Sequence, residues 1–319
     1  MPRRNQPRRG SLQYWPRKRA RKILPSVNWQ AISAEKSEEK PLFLGFIVYK
    51  VSMASCLVKD NTEHSLTKSK KIIVPATVLE APPLKILSVR FYKDNSLLKE
   101  IFVGGEKELK RKIKLGEKKQ INLDEIKDYD SIRVIVYSTV NRTGIKKTPD
   151  ISEIALSGKT EEQLSKAKNF LNKEISIADI FNEGLVDVRG LTKGKGLQGP
   201  VKRFGVSLRH HKSEKGVRKV GSIGPWHPPR VMYSVARAGQ LGFFTRAIYN
   251  SHIIFTGKIS ERDINPKQGW RHYGKIKTDY IILRGSVPGP SKRQLLLTSP
   301  LRPTKKQKKK NFEFIEIAK

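Results

Sequence analysis

The sequence predicts a mainly β protein with an α/β insertion, an α+β fold carrying long basic extensions. Three observations predict it. β-branched and aromatic runs alternate with polar or proline breaks over residues 42–94 and return after 184, which is the pattern of strands. One intervening segment, 95–180, has mixed strand and helix patterning with balanced charge. Both flanks are strongly basic, and glycine and proline recur through them.

The charge is the most informative quantity. Lys and Arg total 65 against 29 Asp and Glu, a net charge of +36 over 319 residues. Such a chain repels itself, and a polyanion relieves the repulsion with release of counterions. Nucleic acid is the first candidate partner. An anionic membrane is disfavoured, because no run approaches about 18 consecutive apolar residues. The first 25 residues lack the apolar region of a signal peptide, and Pro2, Pro7 and Pro16 interrupt any surface helix there. The single cysteine, Cys56, excludes an internal disulfide framework and suits a reducing cytoplasm. Its strand-like setting, YKVSMASCLVKD, predicts a buried structural thiol.

Taken in order, residues 1–25 hold seven Arg, two Lys and no acid, with four prolines, and predict an extended arm. LFLGFIVYKVSMASCLV, KIIVPATVL and LKILSVRFYK predict strands. Segment 95–180 carries 17 basic and 14 acidic residues and predicts a compact insertion facing solvent. Within it, SIRVIVYSTV predicts a strand. TEEQLSKAKNFLN predicts a helix that opens on a Thr160–Gln163 capping box and buries Leu164, Ala167 and Leu171. GLVDVRGL, SHIIFTGKI and DYIILRGSV predict further strands. Residues 188–260 contain 14 basic residues and one acid, Glu214. The chain closes on a lysine-rich run and the apolar-rich NFEFIEIAK.

Catalytic and cofactor readings fail on spacing. Gly194, Gly196 and Gly199 satisfy GxGxxG, but Pro200 follows at once, little helical period comes after it, and no suitably placed acid appears. Glycines beside Lys193, Lys195, Lys202 and Arg203 suit close approach to an RNA backbone. The six histidines match no zinc spacing, and His210 and His211 would point apart in a strand. The carboxylates needed for a two-metal site are too sparse in the basic half, and Glu261 and Asp263 fit a turn. No catalytic, cofactor-binding or metal-binding residue is assigned. SIGPWHPPRV, residues 222–231, is the sharpest feature. Pro228 and Pro229 exclude Trp226 from a helix or a central strand, so an exposed loop tryptophan available for stacking is expected in preference to a core residue.

VDVRGLTKGKGLQGPVKRFG (186–205) and RKVGSIGPWHPPRVMYSVARAGQLGF (218–243) resemble the signature blocks of the L-three family of large-subunit ribosomal proteins. PRRGSLQYWPRKRA and GSVPGPSKRQLLL resemble its N-terminal arm and C-terminal block, and the length suggests an archaeal member. The resemblance implies a translation-factor-type β-barrel at 31–94 and 181–300, with an rRNA-penetrating loop at 206–235. It further implies an arm at 1–30, an α/β insertion at 95–180 and a basic tail at 301–319. It implies a structural, non-enzymatic and cytoplasmic role on the ribosome: binding large-subunit rRNA, supporting early assembly and organising rRNA near the peptidyl-transferase centre. Implied protein neighbours belong to the L-fourteen and eukaryote-type L-twenty-four families. A histidine modified in eukaryotic relatives is matched here by Glu214, so that modification is not carried over. The expected rRNA contacts are Arg3, Arg4, Arg8, Arg9, Arg17, Lys18, Arg19 and Arg21 in the arm. In and around the loop they are Lys193, Lys195, Lys202, Arg203, Arg209, Lys212, Lys215, Arg218, Lys219, Trp226, His227, Arg230, Arg237 and Arg246, with Lys292 and Arg293 near the C-terminal block. A free-standing RNA chaperone or non-specific nucleic-acid binder is the alternative reading.

Overall fold

The computed structural model describes residues 10–33, 41–114, 123, 126 and 128–318. Its first half runs α1 (Trp29–Ser33), β1 (Gly45–Asp60), β2 (Lys71–Ala81), β3 (Leu84–Lys93), β4 (Ser96–Phe102), β5 (Ser131–Ser138), β6 (Ile151–Ala155) and α2 (Thr160–Asn169). The second half runs β7 (Leu185–Leu191), β8 (Leu197–Gln198), α3 (Pro200–Phe204), β9 (Gly239–Gln240), β10 (Thr245–Gly257), β11 (Asp279–Arg284), β12 (Gln294–Thr298), α4 (Lys305–Lys308) and β13 (Phe312–Ile317). The protein is thus mainly β, and the predicted strand runs become strands. The chain divides into two units: residues 23–190 with 246–318, and residues 10–22 with 191–245.

Two sheets build the larger unit. Seven strands pair in the order β12-β7-β10-β11-β2-β1-β13, and β12 also pairs with β1. Six strands therefore form a closed circuit of pairings, with β13 added to β1. The length of β1 allows this. Its Gly45–Tyr49 portion pairs with β12, its Cys56–Asp60 portion pairs with β13, and β2 takes the other edge. Period-two alternation supplies two apolar clusters. Leu79, Ile281 and Leu283 face one, and Val74, Ala76, Val78, Tyr280 and Ile282 face the other. Each such side chain contributes about 1.5–3 kcal/mol on full burial. Cys56 lies in the second cluster, and burial pushes its thiol up to about 11, as expected of a structural thiol.

The second sheet, β4-β3-β5-β6, packs with α2 against the first cluster. Its start differs from the expected boundary at 94/95. Asp94 and Asn95, at φ 47° and 65°, form the turn of a β3–β4 hairpin in which Lys93 pairs with Ser96. Two consecutive left-handed residues are what a type I′ hairpin turn requires, so Asp-Asn here joins strands rather than domains.

Three other local expectations change. No side chain caps α2: its N-cap is Lys159, and Thr160 is already helical. Gln163 turns inward, accepting the Ile132 N–H at 2.8 Å and donating to the Gly158 carbonyl at 2.8 Å, so it satisfies a strand edge instead of its own helix end. Ala167 is buried on the predicted face, with Leu164 and Leu171 packed beside it. The segment expected to be an arm through residue 30 enters the core earlier. Trp29 and Ile32 are buried, and a Cβ on Gly45 would lie 2.8 Å from the Trp29 ring. Finally, the alternating apolar residues of FEFIEI turn the end of the expected basic tail into β13, in which Phe314 is buried.

Candidate nucleic-acid interface

The smaller unit starts where β7 ends. Thr192 donates its N–H to the Phe244 carbonyl at 3.0 Å, and the Phe244 N–H returns to Thr192 Oγ1 at 3.1 Å. The two chain segments then run together through Lys195 N–H to Leu241 O, Leu241 N–H to Gly196 O and the short β8–β9 pairing. Gly242 makes this approach possible. It lies at φ 72°, and a Cβ there would sit 1.9 Å from the Lys193 carbonyl oxygen. The GxGxxG glycines therefore belong to a basic ribbon. A short helix, α3, does follow, because Pro200 is acceptable at the first helical position. It spans five residues and ends at Gly205 in a left-handed cap.

Residues 10–22 lack helix and strand, yet they pack within this unit. The Trp15 ring stacks on Phe204 at 6.4 Å and meets Tyr233 edge-on at 5.5 Å, while Arg17 lies 4.4 Å over Phe204. Ala20 donates its N–H to the Phe243 carbonyl at 3.1 Å. Arg203 ties the segments together, donating to the Gln240 carbonyl at 3.0 Å and the Arg237 carbonyl at 3.1 Å. Burial lowers the Arg203 pKa, and a guanidinium remains charged under such a shift. The extended arm expected from its prolines is thus held by aromatic and cation–π contacts, each worth about 0.5–1.5 kcal/mol.

Beyond Gly205 the chain has neither helix nor strand until β9. Residues 221–233 are exposed throughout, and Trp226 is 88% exposed, its ring 6.4 Å from His227 and edge-on to it. Trp226 lies outside every apolar cluster, as the loop reading expects. Arg209 closes a narrow neck: its N–H reaches the Val217 carbonyl at 2.9 Å and its guanidinium reaches the Val220 carbonyl. His210 and His211 do not point apart. The chain turns at this pair, so their ring centroids come within 4.2 Å.

Among the described residues of this unit, sixteen Lys and Arg face one carboxylate, Glu214. Lys18, Arg19, Arg21, Lys193, Lys195, Lys202, Lys212, Lys215, Arg218, Lys219, Arg230 and Arg237 are exposed. Arg17 and Arg203 are half-buried against protein partners. Arg246, Lys292 and Arg293 belong to the larger unit, where Lys292 is exposed and burial lowers the Arg293 pKa. Arg3, Arg4, Arg8 and Arg9 lie outside the described residues. Sequence reasoning missed Trp15, Phe204, Tyr233 and Phe243 as the staple of the unit. The signal was present as large aromatics set within otherwise cationic segments. Among the described residues, no group of three or more His, Cys, Asp or Glu is arranged to hold a metal. No described helix is long and apolar enough to cross a membrane.

A concentration of exposed cation with no compensating carboxylate defines a surface for a polyanion. The model of the family described as ribosomal protein L3 matches residues 1–114 and 95–317. The chain is 42% identical to large ribosomal subunit protein uL3 of Methanocaldococcus jannaschii, over 94% of this chain and 92% of that protein. It is 41% identical to the protein of the same name from Nanoarchaeum equitans, over 99% and 98%, and 39% identical to that of Archaeoglobus fulgidus, over 94% and 93%. The chain belongs to the ribosomal protein L3 family, with archaeal relatives, and that family is structural rather than enzymatic.

Proposed function

We propose that this protein is a structural constituent of the large ribosomal subunit in the cytoplasm, and that residues 10–22 and 191–245 form its principal rRNA-binding surface. The observation that carries this reading is the smaller unit itself: exposed lysines and arginines, a nearly fully exposed Trp226 and a single acid, in a chain of the L3 family. Arg and Lys neutralise converging phosphates, the close glycine ribbon admits RNA backbone, and Trp226 supplies a flat face for stacking. The expected site residues keep these roles, with Arg17 and Arg203 also holding the unit together. The six-strand circuit is read as a translation-factor-type barrel. On the same basis the protein joins early in subunit assembly and organises rRNA near the peptidyl-transferase centre, beside proteins of the L-fourteen and eukaryote-type L-twenty-four families. Crosslinks mapped from residues 188–246 of the assembled subunit test this directly. Crosslinks to large-subunit rRNA that survive a high-salt wash are expected. A protein that washes off, or crosslinks scattered over unrelated RNAs, would support a free-standing RNA chaperone instead.

A further inference from the structure

In the larger unit, a cleft of about 380 Å³ is lined by Tyr249, Asn250, His252, Arg284, Gln307 and Lys310, among others. Three buried polar atoms of these residues, Asn250 Oδ1, His252 Nδ1 and Gln307 Oε1, have no hydrogen-bond partner in the protein. Their chemistry is fixed by their neighbours. The Asn250 amide nitrogen donates to the Arg302 carbonyl at 2.9 Å and to Thr304 Oγ1 at 3.1 Å, which leaves its oxygen as the free acceptor. His252 Nε2 lies 2.8 Å from the Lys310 carbonyl oxygen and must be the protonated nitrogen. Burial lowers the imidazole pKa, so the ring is neutral and Nδ1 is an acceptor. The cleft therefore offers three acceptors without a donor.

Its rim has the opposite character. Arg284 lies 5.1 Å over Phe312, and the Lys310 ammonium is held below its ordinary range by burial and by the neighbouring Arg284 charge. An anion between these two cations relieves both effects. Tyr249 is 55% exposed and lines the same cleft. Acceptors for amine hydrogens, two cations for a phosphate and an exposed aromatic ring together match one ligand class.

We propose that this cleft binds a single unstacked ribonucleotide whose base carries an exocyclic amine, an adenosine or a cytidine of an RNA strand. The base donates its amine to the acceptor group, Tyr249 stacks on its face, and Arg284 with Lys310 holds its phosphate. Uridine is disfavoured because it presents two carbonyl oxygens to the same acceptors. The proposal rests on the rRNA-binding function above and adds a base-reading subsite outside the basic loop.

The test is equilibrium binding of the full-length protein to oligoadenylate, oligocytidylate and oligouridylate of equal length, so that phosphate charge is constant. The adenylate and cytidylate should bind about fivefold to tenfold more tightly than the uridylate, the scale of one well-made base contact. Gln307→Leu and, separately, Tyr249→Ala should bring the ratio close to one with unchanged uridylate affinity and an unchanged melting temperature. Equal affinity for all three in the unaltered protein, or a ratio that survives Gln307→Leu, overturns the subsite and leaves phosphate-driven RNA binding intact. Failure to bind any of the three overturns the underlying function instead.

Discussion

The segment 95–180 and the smaller unit are both rich in Lys and Arg, yet they dispose of that charge in opposite ways. In the sheet of β3–β6 the cations are met within the fold. Lys85 pairs with Glu106 and Glu174, Arg90 with Glu100 and Glu153, and Arg142 with Glu174. In residues 10–22 and 191–245, Glu214 is the only carboxylate available to sixteen cations. Surface ion pairs are individually worth little, so the difference does not lie chiefly in stability. It shows which region is electrostatically complete alone and which requires a partner's charge.

The two regions also use tryptophan differently, and the largest expected effect follows from that contrast. Trp29 is 3% exposed within the core, so Trp29→Ala should cost about 3–5 kcal/mol in denaturant unfolding of the free protein. A loss under 1 kcal/mol would mean that α1 contributes no core.

A second expectation separates the units by pH. Tyr137 and Tyr280 are pushed up to about 12, chiefly by burial, and Tyr273 rises further through burial and the Glu80 carboxylate that accepts its hydroxyl proton. A folded pKa above the unfolded value of about 10 gives stability that is complete below pH 10 and is lost as pH rises beyond it. The unfolding midpoint should therefore fall above pH 10, by at most about 1.4 kcal/mol per pH unit for each tyrosine. Tyr273→Phe should flatten the slope, and a slope unchanged by that substitution would remove Tyr273 from the account.

The smallest effect on the free protein belongs to the exposed loop. Trp226→Ala should change stability by no more than about 0.5 kcal/mol. In ribosomes the lost stacking, about 1–3 kcal/mol per base by analogy with single-strand binders, should alter peptidyl transfer while subunits still assemble. A large drop in melting temperature with normal ribosome kinetics would place Trp226 in a core.

The strands were legible because β-branched runs with breaks report local geometry, and the exposed Trp226 was legible because prolines exclude it from regular structure. Features that depend on long-range packing were not. Nothing near Trp29 announces that Gly45, sixteen residues on, leaves room for its ring. Gln163 looked like half of a cap because its strand-edge partner, Ile132, is distant in sequence. The Asp94–Asn95 turn was readable in principle, since both residue types tolerate left-handed backbone, but it was taken as a domain break. At the interface, the cations were visible as composition. The Trp15–Phe204–Tyr233 packing was not, because its members are separated by up to 218 positions.

Native-state amide hydrogen exchange, followed residue by residue in the free protein and again in the assembled subunit, tests the central contrast most directly. Free in solution, residues 206–235 should exchange with almost no protection while residues 42–94 are strongly protected, and in the subunit the loop should become protected. Strong protection of 206–235 in the RNA-free protein would show that the loop is complete without a partner and would contradict the account.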